Sequence, residues 1–170
     1  FQTMVPALIA LPIFSMLVIL QSTIVSRFPL LHGSADLVLL VIIAWALQEQ
    51  VDSAWIWALL GGLLIGFSSA VSLFIPLALY LSSNALALMV RRRIWQIPIL
   101  GMFAITLIGT LLSHVLTALT ISISGTALPW LDVFQLITLP SLFLNILLAA
   151  PIYAIVKDFA SWLHPEVIEI

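Results

Sequence analysis

Chemistry in this chain would have to start from the few side chains able to hold or move a proton. The most polar of its apolar segments carries Thr106, Thr110 and His114 at steps of four, with Ser113 and Thr117 alongside. Spacing of four puts the first three on one helix face. A histidine inside a membrane is a functional hint, because an ionisable group there is costly unless paired. The acids are Asp36, Glu49, Asp52, Asp132, Asp158, Glu166 and Glu169, and none pairs with a His or Lys at helical spacing within an apolar run. His114 therefore reads as a hydrogen-bonded packing residue, and the hydroxyls as groups that return their bonds to the helix backbone. Gln21, Asn84 and Asn145, also in uncharged runs, read as hydrogen bonders between helices.

Other chemistries lack their residues. Cysteine is absent, which removes disulfides, thiolate metal sites and cysteine nucleophiles. No HExxH, GxSxG or phosphate-cradling glycine loop occurs, and five basic residues are too few for nucleic acid. The expectation is a protein that is not an enzyme and uses neither metal nor cofactor.

The elements that position these residues follow from composition. Of 170 residues, 64% are hydrophobic and only 7% charged, against about 25% charged in a soluble domain. Too little charge is present to cover a water-facing surface, so lipid must be the solvent for most of it. The chain reads as one all-α, polytopic membrane domain over residues 1–170. The first residue is Phe1, so an N-terminal extension is conceivable, and the apolar stretch to Ser26 reads as a span rather than a cleavable signal.

The charges mark the spans. Thirty-eight uncharged residues separate Asp52 from Arg91, and as one straight helix they would run about 57 Å against a hydrocarbon core of about 30 Å. That run must fold into two crossings, with Gly66-Phe67-Ser68-Ser69-Ala70 as the most turn-like point. Arg93 and Asp132 bound a second such run, read as one long span and a loop over 122–130. The predicted spans are 4–26, 35–49, 53–67, 70–90, 97–122 and 133–157. The second is the shortest, with only 12 uncharged residues from Leu37 to Gln48. It crosses only if Asp36 lies at one interface and Glu49 or its neighbours at the other, and a re-entrant segment, hence five spans, is the competing reading.

Arg91, Arg92 and Arg93 are three of the chain's five basic residues. Basic residues near span ends bias a loop to the cytoplasm, so six spans put both termini inside. The three also suit anionic lipid headgroups. Ala54, Ala58, Gly62, Gly66 and Ala70 recur every four residues, a small-residue stripe that marks a close helix contact within the chain or with a partner.

The last span carries a resemblance. Leu139-Pro140-Ser141-Leu142-Phe143-Leu144-Asn145 continues to Pro151-Ile152-Tyr153, placing an intramembrane Asn six residues before a Pro that frees a carbonyl and invites a kink. This resembles the Asn…Pro-x-Tyr ending of the bacterial rod shape-determining MreD family. Leu20-Gln21-Ser22-Thr23 is similar to the close of that family's first helix. Ser34-Ala35-Asp36-Leu37 resembles its Pro-Asp start to helix two, with Ala35 where Pro is common. The block from Gly61-Gly62 to Arg91-Arg92 resembles its glycine-rich third helix, turn, fourth helix and basic loop. The family's acidic Asp-x-x-Ser-Gly turn is absent, so that Asp's role does not transfer.

The resemblance implies an inner-membrane scaffold of the cell-elongation machinery. Its partners would be a bitopic MreC-like protein and, through it, MreB, RodA and the transpeptidase of RodA. It makes Asn145, Pro151 and Tyr153, with the stripe, candidates for packing or partner surfaces. The architecture also resembles the substrate-binding membrane subunits of energy-coupling-factor vitamin transporters, in which the polar face of Thr106, Thr110 and His114 would line a pocket. Their Ala-xxx-Ala motif in the first helix is missing, since Ala7 is followed at four by Leu11 and Ala10 by Phe14.

Overall fold

The computed structural model describes residues 4–27, 33–69, 72–93 and 97–164. These form six helical rods in sequence: α1 (Met4–Arg27), α2 (Leu37–Ala46), α3 (Ala54–Ser68), α4 (Phe74–Arg93), α5 (Pro98–Ile123) and α6 (Trp130–Leu163). No strand occurs among the described residues. Within α6 the stretch Phe134–Thr138 widens to π-helical geometry. Three rods are long and apolar enough to cross a membrane, through Phe74–Arg91, Pro98–Ile123 and Trp130–Leu163, while Leu8–Thr23, Leu37–Ala46 and Ala54–Ser68 are shorter apolar helices.

The rods alternate in direction. The N-terminal end of α2 meets the late part of α1, where Gln21 accepts from the Leu37 N–H. Packing of α3 on α2 is equally close: a Cβ on Gly61 would lie 2.8 Å from Ile42 Cδ1 and 3.0 Å from Val38 Cγ1. Tyr80 of α4 reaches the start of α2 and Arg91 the segment after its end. Thus α4 runs parallel to α2, and its eleven-residue step of about 16 Å matches the length of α2, about 15 Å.

The centre of the bundle is α2 itself. Every residue from Leu37 to Leu47 is buried, and α1, α3, α4, α5 and α6 all pack against it. In lipid, a helix that is apolar all round can face either tails or protein; here it faces protein. Trp45 of α2 stacks on Trp57 of α3 with ring centroids 4.1 Å apart, and Phe14 of α1 meets Trp57 edge-on at 5.4 Å. The outer faces remain apolar and exposed, for example Val115, Phe143, Leu147 and Ile155, which suits contact with lipid tails.

Several sequence expectations change. The second span is not a helix over 35–49 but ten residues, half of a hydrocarbon core, and Asp36 lines a cavity between the rods. Gly66 sits inside α3, which continues to Ser68, so the turn falls later. The last rod begins at Trp130 and runs to Leu163, longer than 133–157. It continues as helix through Pro151.

The small-residue stripe packs internally where its neighbours are described. A Cβ on Gly62 would lie 2.9 Å from the backbone Cα of Leu77, and Gly66 faces Leu73, both preceding or opening α4. Ala54 and Ala58 are buried. Ala70 lies outside the described residues.

Candidate functional site

A ten-residue helix inside a membrane bundle poses a backbone problem. Its first N–H and last C=O groups have no intrahelical partner, and no water in a hydrocarbon core will supply one. The residues around the two ends of α2 answer this, and they include most of the candidate polar residues.

At the N-terminal end, side chains from four other rods converge. The Asp36 N–H donates to Asn145 Oδ1 of α6 at 2.8 Å, and the Leu37 N–H to Gln21 Oε1 of α1 at 3.1 Å. Asp36 is the N-cap, its Oδ1 accepting from the Leu39 N–H at 2.9 Å. Tyr80 Oη of α4 lies 3.0 Å from both carboxylate oxygens. Asn145 uses its other end as well, Nδ2 donating to Thr110 Oγ1 of α5 at 2.9 Å. Two residues before Asp36, the Ser34 N–H donates to Ser141 Oγ at 3.0 Å. Gly33 lies so close to α6 that a Cβ would stand 2.6 Å from the Ser141 backbone nitrogen, which only glycine allows.

Around this knot lies a small polar cavity of about 80 Å³, lined by Gln21, Ser34, Asp36, Thr110, Ser113, His114 and Asn145 with Leu39. His114 Nδ1 lies 3.3 Å from Thr138 Oγ1, at the end of the π-helical turn. The space suits about two or three waters bridging polar groups. It is far short of the roughly 300–1,000 Å³ of small-molecule pockets.

At the C-terminal end, Gln48 turns its Nε2 back on the Ala44 carbonyl at 2.7 Å. Arg91 Nη1 reaches across from α4 to the carbonyls of Gln48 at 2.6 Å and Val51 at 3.1 Å. With Asp36 at one end and Arg91 at the other, α2 has an acid at its positive pole and a cation at its negative pole, the favourable sense for a helix dipole. The indole of Trp45 donates to Ser53 Oγ at 3.3 Å, tying the following turn to the helix. Arg92 and Arg93 are exposed, so the three arginines divide into one that closes α2 and two at the surface.

The sequence candidates therefore separate. Asn145, Thr110, Gln21 and His114 come together with Asp36 at one end of α2, while Arg91 and Tyr153 line a cavity at the other. Pro151 is exposed on α6. Asn84 and Thr106 do not join: both are buried, and neither the Asn84 amide nor Thr106 Oγ1 has a hydrogen-bond partner among the described residues. That corrects the expectation that Asn84 ties two helices together. Sequence reasoning missed Tyr80 and the placing of His114 on the same cavity as a carboxylate, since Asp36 is remote in sequence from both. The one available signal was that an acid at the start of so short a span needs partners. Among the described residues no group of three or more His, Asp or Glu is placed to hold a metal.

The arrangement can immobilise a short helix, sequester its polar ends and keep a little water. Comparison with protein-family models, with curated proteins and with solved structures finds no match.

Proposed function

We propose that this chain is a non-enzymatic scaffold of the MreD type in the bacterial inner membrane, with both termini in the cytoplasm. In this reading it binds an MreC-like bitopic protein and through it contributes to a complex with RodA, its transpeptidase and MreB. It thereby helps regulate peptidoglycan synthesis and cell shape. One observation carries the reading. Residues on which the resemblance rests meet around the start of α2: Ser34 bonds Ser141, Asp36 bonds Asn145, and Leu37 bonds Gln21. They serve the fold, as a protein acting through lateral helix contacts requires.

The vitamin-transporter alternative fits less well. Its pocket would have to be the cavity beside His114, which is several-fold too small for a drug-sized ligand. The α1 face of Ala10 and Phe14 is fully buried against the bundle and unavailable to a coupling subunit.

Affinity purification from native membranes in mild detergent, with copurifying proteins identified by mass spectrometry, tests the proposal. Recovery of an MreC-like bitopic protein, with or without RodA, is the expected result. Recovery of paired ATPases with a coupling membrane subunit would replace the scaffold with a transporter component.

A further inference from the structure

At the C-terminal end of α2 the rods leave a cavity of about 180 Å³, room for about six water-sized volumes. Its walls bring together Arg91 from α4, Pro98 from the start of α5, Tyr153 and Lys157 from α6, and Gln48 and Glu49 from the turn after α2. The two cations come from rods on different sides of the cavity, and α2 ends between them.

The donors here are only partly used. Arg91 spends Nη1 on the Gln48 and Val51 carbonyls. A guanidinium has five N–H donors, and its Nε and Nη2 take no partner among the described residues. Those two bonds also fix the guanidinium in place, so a ligand meets a pre-ordered fork rather than a mobile side chain. Lys157 is exposed and takes no partner among the described residues. Glu49 is exposed at the rim, leaving the lining with a net single positive charge.

Position supplies the anion. Arg91, Arg92, Arg93 and Lys157 are four of the chain's five basic residues, and Arg91 and Lys157 share this cavity. A cluster of cations at one end of membrane-crossing helices lies at the level of the lipid headgroups. The anion most concentrated at that level is the phosphate of the lipids themselves, and a planar guanidinium with an ammonium opposite suits its oxygens.

We propose that this cavity is a binding seat for the phosphate of an anionic lipid headgroup, held between Arg91 and Lys157 with the Tyr153 hydroxyl as a third donor. The proposal requires only that the chain sits in a membrane, and stands apart from the scaffold reading. It gives Arg91 two tasks at once, closing the end of α2 and presenting a fork to lipid. The occupant would also brace α4 against α6.

Native mass spectrometry of the full chain in detergent, titrated with phosphatidylglycerol, tests this. Lys157→Gln, which breaks no protein contact, should weaken phosphatidylglycerol retention about fivefold, as expected for one basic residue near an anionic surface. Glu49→Gln removes the opposing charge and should strengthen retention by a similar factor. Added inorganic phosphate that fails to displace the lipid assigns the site to headgroups; displacement assigns the same site to free phosphate. Retention unchanged in both variants overturns the proposal, and so does retention that Glu49→Gln weakens.

Discussion

Along the face of α4 that lies on α2, the ends and the middle fare in opposite ways. Tyr80, Asn84, Ala87 and Arg91 share that face by their steps of four, three and four. Tyr80 and Arg91 meet the ends of α2, where backbone groups and a carboxylate need partners. Asn84 meets its middle, where the backbone is already bonded within the helix and the side chains are Leu, Ile and Val. A polar side chain in a bundle core is thus worth what the opposing helix lacks. At an end of a short helix it closes a gap; along its flank it remains desolvated and unpaired.

Substitutions sharpen that contrast, and thermal melting in detergent reads each of them. Asn145→Leu should have the largest effect, a loss of about 3 kcal/mol, because it orphans both the buried Asp36 N–H and Thr110 Oγ1. Arg91→Leu should cost about 2 kcal/mol through the Gln48 and Val51 carbonyls, while Arg92→Leu stays close to the parent. Equal melting of the two arginine variants would remove the distinction drawn between them. Tyr80→Phe deletes one donor to Asp36 without changing shape, for a loss of about 1 kcal/mol. Asn84→Leu should be neutral or stabilising by up to about 1 kcal/mol, since it replaces an unsatisfied amide of similar size. A marked loss on Asn84→Leu would mean that the amide has a partner, such as a bound water.

The gaps between charges pointed to six apolar segments, and six helical rods occur among the described residues, because lipid punishes a charge in mid-span more strictly than water punishes an exposed leucine. The loop read over 122–130 falls between Ile123, where α5 ends, and Trp130, where α6 opens. Legibility ended where two segments meet. Asn84 and Asn145 look alike in sequence, each a lone amide in an apolar run; only the helix opposite tells them apart. Arg91, Arg92 and Arg93 are consecutive, and about 100° of helical rotation per residue decides which one reaches α2. Gly62 and Gly66 announced a close contact, but its occupant, the Leu73–Leu77 stretch, could be named only from the folded chain.

The buried α2 also sets an order of events during synthesis. Too short to be stable facing lipid, it becomes an acceptable membrane passenger only once its surroundings exist. Yet Tyr80, Arg91, Ser141 and Asn145 all leave the ribosome after it. A nascent chain stopped before Ser141 lacks every contact that holds residues 33–36 against α6, so that segment should be cut by protease in the arrested chain and resist it in the finished one. The second helix is thus among the first made and the last to be enclosed.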